Sequence, residues 1–196
     1  MDAQHREGQV RTPLGRLTYE DFLLFPDDGQ RHELIDGEHY VTPSPNTRHQ
    51  TLSRRLTRAL LAHQEAHPGG ELFYAPLDCV LTDIDIVEPD ILFIAEDQRH
   101  ILTEQHVRGA PALVVEILSP GTHATDEGAK RRLYDRVGVR EYWVVDPIED
   151  VLTVYRRAED GRFSNVRVLT AAANDTLTTP LLPEFPLPLV DYFRRT

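Results

Sequence analysis

An apolar run from Ala112 to Leu118 carries a single charge, Glu116. The run is short, rich in valine and leucine, and followed by the turn residues Ser119-Pro120-Gly121, so it reads as a buried type of strand. A carboxylate inside such a strand is costly unless it is paired, bound to a metal or placed at the strand's exposed end. A polar helix follows over Thr122 to Val137, ended by Gly138, and it contains Lys130, the only lysine of the chain. A buried strand with one acid, followed by a helix with one lysine, is where chemistry is expected.

The rest of the chain arranges itself around that stretch. Residues 1–15 are polar and expected to be disordered, which leaves residues 16–196 as one domain with a sizeable core. Thr18 and Asp21 cap a short helix. A hairpin follows over His32 to Val41 with Asp36-Gly37 as its turn, closed by Pro43-Ser44-Pro45-Asn46, which offers Asn46 as an N-cap. Thr47 to His67 is helical, with Leu52, Leu56, Ala59, Leu60 and His63 on one face, and Pro68-Gly69-Gly70 ends it. Strands are predicted over Leu72–Thr82, Ile86–Ala95, Ala112–Leu118 and Arg140–Val145. A hairpin around Asp160-Gly161 follows, and then an extended tail that runs to Leu189-Val190-Asp191-Tyr192-Phe193. The order predicts an α/β fold with a mixed sheet flanked by helices, and β-hairpins added at both ends. The passage from Leu118 to Tyr142 fits a βαβ crossover.

Two acids and the lysine form the candidate site. Asp90 follows a proline in a strand rich in Ile, Leu and Phe. Two carboxylates on neighbouring strands repel each other unless a cation sits between them, and Mg²⁺ is the usual one: a hard ion held by one or two carboxylates that keeps several waters. A nearby lysine can orient an attacking water or neutralise charge on a phosphate. Asp126, Lys130 and Tyr134 recur at i, i+4, i+8 and share a side of the helix. Ala129, Leu133 and Val137 form the adjoining apolar stripe, which puts Lys130 at the edge of the buried face. Spacing alone leaves two readings open: a snorkelling lysine paired with Asp126, or one whose stem runs over the sheet toward Glu116.

These residues and their surroundings resemble the Uma-two family of endonucleases, within the PD-(D/E)XK restriction-endonuclease-like superfamily. The resemblance is carried by HELIDGEHYVTPSPNTRHQ, APLDCVL, VEPDILFI, GAPALVVEILSPGT, DEGAKRRLYDRVGVREYWVVDP and VLTVYR, and extends from about Leu17 to the C-terminus. It implies a core of helix, three-stranded meander, helix and strand. It matches Asp90 to the aspartate of the PD motif and Glu116 to the acid of the second motif. Both would bind a divalent metal, with the backbone carbonyl of Ile117 as a further ligand and Glu33 as an acid that completes the site. The residue two after Glu116 is Leu118, where the superfamily carries its lysine. The resemblance moves that role to Lys130, so the enzyme reading depends on it. Tyr134, Asp126 and Gln50 are supporting candidates, and His49 lines the cleft or caps the helix.

The leading function is a metal-dependent endonuclease hydrolysing DNA phosphodiester bonds with Mg²⁺ or Mn²⁺. The alternatives are a catalytically weak or inactive binding or assembly module of the same fold, and a hydrolase of another phosphorylated substrate with the same metal pair. The formal net charge of −11 argues against a general nucleic-acid-binding surface and favours the module. Arg48, Arg54, Arg55 and Arg58 form either a phosphate-contacting face or a solvated one. His63 and His67 are spaced i, i+4, but their glutamate is one place off the HExxH pattern, and no zinc site is read there. The single cysteine, Cys79, rules out an intramolecular disulfide and fits a cytoplasmic setting. The stretch MDAQHREGQV lacks an apolar h-region and is not expected to be a signal peptide, and no apolar run approaches the length needed to span a bilayer. Strand edges supplied by the extra hairpins point to a homodimer.

Overall fold

The Asp36-Gly37 turn closes an antiparallel hairpin of β1 (Arg31–Ile35) and β2 (Glu38–Thr42), as the pair predicts. Ahead of it α1 (Tyr19–Phe22) is a single turn, where the Asp21 carboxylate accepts the Thr18 backbone N–H. The structure is a computed structural model describing residues 15–42, 44–119 and 125–195. The expected disorder over 1–15 falls almost wholly outside those residues, as do Pro43, Pro120-Gly121 and the predicted start of the second long helix.

The hairpin leads into α2 (Thr47–Ala66), whose N-cap, Asn46, accepts the His49 N–H at 2.9 Å. Strands β3 (Glu71–Tyr74), β4 (Cys79–Thr82), β5 (Asp85–Val87) and β6 (Ile91–Ile94) follow. A 3₁₀ turn (Glu96–Ile101) leads to β7 (Val107–Arg108) and then to β8 (Leu113–Ile117). Among the described residues, the helix after β8 shows wide π winding over Thr125–Lys130, continues as α3 (Arg131–Val137), and ends at Gly138 as expected. The remainder is β9 (Glu141–Asp146), β10 (Val151–Arg156), β11 (Asn165–Thr170), β12 (Thr176–Thr179), β13 (Leu182–Pro188) and α4 (Leu189–Phe193).

Three of the predicted segments are corrected. The strand expected over Leu72–Thr82 is two strands, β3 and β4, and the one over Ile86–Ala95 is β5 and β6. Proline supplies no N–H to a ladder, and Pro76 and Pro89 each lie in a break. The two breaks lie side by side, joined by the Ala75 N–H to the Asp90 carbonyl at 3.1 Å. The tail read as extended pairs with itself as β12–β13. Asp85, at the start of β5, is buried. It accepts from Arg136 Nη2 on both carboxylate oxygens, at 2.9 and 3.0 Å, and also accepts the Asp36 N–H.

Splitting the strands makes two sheets. One has the order β2-β1-β5-β4-β7 and the other β11-β10-β9-β8-β6-β3. Within the second, β3, β6 and β8 form the antiparallel meander, and β9 joins β8 in parallel after the helix. Alternate residues of the meander serve two cores. Ile91, Phe93, Leu113 and Val115 meet Leu52, Leu56 and Leu60 of α2, together with the tail hairpin and α4. Leu92, Ile94 and Val114 meet Leu133 and Tyr134 of α3, together with Cys79 and Val87 of the first sheet. Both faces are covered, which is why β8 and β6 read as continuous apolar runs. Each fully buried leucine of α2 contributes about 1.5–3 kcal/mol. Among the described residues no helix is long and apolar enough to cross a membrane.

Candidate functional site

The site lies where the chain passes from the first sheet to the second, at Glu88-Pro89-Asp90. In the β6–β8 ladder Ile91 faces Val115 and Leu92 faces Val114, so one further step sets Asp90 opposite Glu116. The Ile117 N–H donates to Asp90 Oδ2 at 2.8 Å. Both acids are buried, with Asp90 5 % and Glu116 3 % exposed. Asp90 Oδ1 accepts from Arg31 Nη1 at 3.2 Å, and Oδ2 lies 3.1 Å from His49 Nε2. The capped first turn of α2 delivers His49, and the first strand delivers Arg31, which also pairs with Glu88. Burial works to raise the Asp90 carboxyl, but the His49 hydrogen bond, the Arg31 charge and the Ile117 amide outweigh it and hold it below the usual carboxylate value.

Glu116 meets the lysine. Lys130 Nζ is 3.0 Å from Glu116 Oε1, 2.9 Å from Glu33 Oε1 and 3.4 Å from Asp126 Oδ1. The lysine reaches Glu116 and also pairs with Asp126, but it does not snorkel: its ammonium is buried among the acids and not held in water. It does not sit at the edge of the buried face, being only 3 % exposed. The π winding over Thr125–Lys130 re-registers the start of the helix relative to α-helical spacing, and Asp126 and Lys130 are both buried there. Tyr134 donates its hydroxyl to Glu116 Oε1 at 2.9 Å. Glu33 is buried as well. It accepts the Glu88 N–H at 2.9 Å and the Thr42 hydroxyl at 3.2 Å.

The electrostatics of this cluster follow from its crowding. Burial pushes the Glu116 carboxyl up, Lys130 pulls it down, and Asp126, Asp90 and Glu33 push it up again, leaving it at about 8. Burial alone would lower the Lys130 ammonium, but Glu116, Glu33 and Asp126 hold it well above its ordinary value, so it stays charged. Burial and then the Glu116 charge keep the Tyr134 phenol protonated.

Of the sequence candidates, Asp90, Glu116, Ile117, Glu33, Asp126, Lys130 and Tyr134 come together, and Gln50 does not. Gln50 is exposed on the wall of a groove along α2. Sequence reasoning missed Arg31 and Glu88 and did not pair His49 with Asp90. A signal existed for the first two. Arg31 and Glu33 share one face of β1 at period 2, and Glu88 stands two residues before Asp90.

Among the described residues no three His, Cys, Asp or Glu side chains converge so as to hold a metal ion by themselves. Two side-chain cations occupy the acids instead, Arg31 on Asp90 and Lys130 on Glu116. The donor chemistry still suits a hard divalent cation. In formal charges, five buried carboxylates (Glu33, Glu88, Asp90, Glu116 and Asp126) face Arg31 and Lys130, an excess of three negative charges. All five offer oxygen, and Mg²⁺ needs only one or two carboxylates. A pocket of about 10 Å³, about the size of one water, is lined by Asp90, Glu116, Ile117, Ser119, Asp126 and Lys130 among others. The residues fit a metal in type and charge, though an ion at Asp90 would compete with Arg31.

A meander and crossover helix that bury an acid pair beside a lysine define an α/β fold of the nuclease kind. The chain belongs to the family described as "Uma2: Putative restriction endonuclease", which matches residues 19–189. It is similar to the "Uncharacterized protein slr1290" of Synechocystis sp., with 28 % identity over 170 residues, 84 % of this chain and 85 % of that one. Its fold is that of a crystal structure from Anabaena variabilis, described as a "putative nuclease belonging to DUF820". The TM-score is 0.76 at 21 % identity, covering 90 % of this chain and 97 % of the other.

Proposed function

We propose that this chain is a metal-dependent endonuclease that hydrolyses DNA phosphodiester bonds. The observation that carries the reading is the cross-strand acid pair Asp90 and Glu116 with Lys130 Nζ 3.0 Å from Glu116. Asp90 and Glu116 would hold Mg²⁺ or Mn²⁺, with the Ile117 carbonyl and Glu33 as further ligands. The ion supplies Lewis acidity toward the phosphate and lowers the pKa of the attacking water. The chain's own part is positional and electrostatic. Lys130 orients the water or neutralises charge on the pentavalent phosphate. Tyr134 and Asp126 fix Glu116 and Lys130 in place, and His49 with the Ile117 amide fixes Asp90. Supercoiled plasmid is expected to be nicked with Mg²⁺ or Mn²⁺, and Asp90→Asn or Glu116→Gln to lose about 100-fold or more in rate, the scale of losing a charge-stabilising group. Equal rates for wild type and both variants would reject the catalytic assignment.

A second reading, a binding or assembly module that does not cleave, is favoured by Arg31 and Lys130 already occupying the acids and by the net charge of −11. Titration calorimetry with Mn²⁺ separates the two, since absence of binding favours the module. In either case a cytoplasmic homodimer is our reading. Edge strand β11 exposes Val166 and Val168 and offers one surface for pairing.

A further inference from the structure

The groove that adjoins the acids is built from one face of α2. Gln50, Ser53, Arg54, Thr57, Arg58 and Leu61 recur at i, i+3, i+4 spacing and line a groove of about 750 Å³. Tyr74, at the end of β3, also lines it. Arg31, His49 and Asp90 belong to both this groove and the small acid pocket, so the groove leads to the candidate site.

The four arginines of α2 divide by what they touch. Arg48 donates to Asp150 and to the Phe193 carbonyl, and Arg55 to the Tyr192 and Arg194 carbonyls, so both tie the helix to the C-terminal segment. Arg54 and Arg58 are exposed on the groove and form no hydrogen bond or ion pair among the described residues. In a chain with 32 acidic and 21 basic residues, two free guanidinium groups beside the acid cluster are groups that call for an anion. They stand one helical turn apart, a rise of about 6 Å. Tyr74 is 56 % exposed and stacks on no other ring among the described residues.

Resting on the nuclease reading above, we propose that this groove holds a single, unpaired DNA strand. Arg54 and Arg58 contact neighbouring phosphates, Tyr74 stacks on a base, and the strand runs on toward Asp90. The unpaired state follows from Tyr74, because away from a duplex end an aromatic face can stack on a base only when that base has left its duplex neighbours. A duplex would use the arginines alone and leave the ring idle. The narrow pocket holding the acids is also easier for a flexible strand to reach than for a duplex rod. The substrates this selects are ends, flaps and melted segments.

The test is fluorescence anisotropy in EDTA, with dye-labelled 15-nucleotide oligodeoxythymidine compared with a duplex of the same length. The strand is expected to bind at least about tenfold more tightly than the duplex, and Tyr74→Ala to weaken it by about tenfold, the scale of one base–aromatic stack. The Arg54→Ala, Arg58→Ala double variant is expected to reduce the slope of log K against log salt by about 1.4, or about 0.7 for each single-strand phosphate that is no longer neutralised. All three side chains are exposed, and circular dichroism verifies the fold. Duplex binding as tight as strand binding, or variants that bind the strand like wild type, would overturn the proposal. Strand binding through the groove with no cleavage in Mg²⁺ or Mn²⁺ upholds the groove and rejects the nuclease. Cleavage unaffected by the groove variants does the reverse.

Discussion

Replacing Lys130 with methionine keeps the stem and removes the charge that three buried acids share. Lys130, Glu33, Glu116 and Asp126 are each 2–3 % exposed, with contacts to the ammonium of 2.9 to 3.4 Å. Removing one partner of a buried pair costs about 3–5 kcal/mol. The site has an escape that caps this loss: a stranded carboxylate takes up a proton. For a glutamate at pH 7 that costs about 1.36 × (7.0 − 4.3), or about 3.7 kcal/mol, and at pH 5 only about 1 kcal/mol. The sign follows from linkage. A carboxyl raised in the folded state contributes stability that is full below its unfolded pKa and is lost as pH rises through the folded one. Wild type already has Glu116 raised to about 8, so its own stability should fall between roughly pH 4.5 and 8 in EDTA. The variant adds a second raised carboxyl to that. Urea unfolding in EDTA, followed by the fluorescence of the buried Trp143, reads the difference. With a slope of about 2.5 kcal/mol per molar urea, the midpoint should drop by about 1.5 M at pH 7 and about 0.4 M at pH 5. Adding Glu33→Gln should recover part of the loss at pH 7. A drop that is the same at both pH values would refute the reasoning, because it would mean the lysine matters for packing and not for charge.

Two further outcomes test the frame that holds the site. Glu141 is buried and accepts from Trp143 Nε1, Arg156 Nε and Thr179 Oγ1, tying β9 to β10 and to the tail hairpin. Glu141→Ala should cost about 3 kcal/mol by stranding those donors, with a loss of the near-UV dichroism of Trp143; an unchanged melting curve would contradict it. Gly70 has φ +92°, and an added Cβ would come within 2.4 Å of the Ile94 carbonyl oxygen and 2.6 Å of the Phe93 ring. Gly70→Ala should lower stability by about 2 kcal/mol or more, measured by thermal melting, whereas a neutral effect would mean that the end of α2 can shift away from β6.

Local chemistry made much of this protein legible. Asp36-Gly37 announces its hairpin, Asn46 its cap, and Leu52, Leu56 and Leu60 the buried face of α2, because each signal is complete within a few residues. The strand breaks were harder to read. Leu72 to Thr82 is largely apolar and alternates only in part, so it reads as one strand despite Pro76, and only the neighbouring strands reveal that β3 and β4 belong to different sheets. The tail was misread for a related reason, since its prolines mask a pairing between β12 and β13 that needs both partners to be seen.

For the site, the sequence by itself singled out Asp90 and Glu116 as acids out of place in apolar strands, and Lys130 as the one lysine. It also established that they would need a counter-charge, since burial without one is costly. Only the tertiary structure decided which counter-charges they have. Arg31 and His49 reach Asp90 from 59 and 41 residues away, and Glu33 meets the lysine from a strand of the other sheet. The fold also decided which arginines of α2 are committed to the tail and which face the groove. The reason is physical: periodicity reports which side of an element avoids water, but a buried charge is satisfied by whatever distant group the fold brings within about 3 Å.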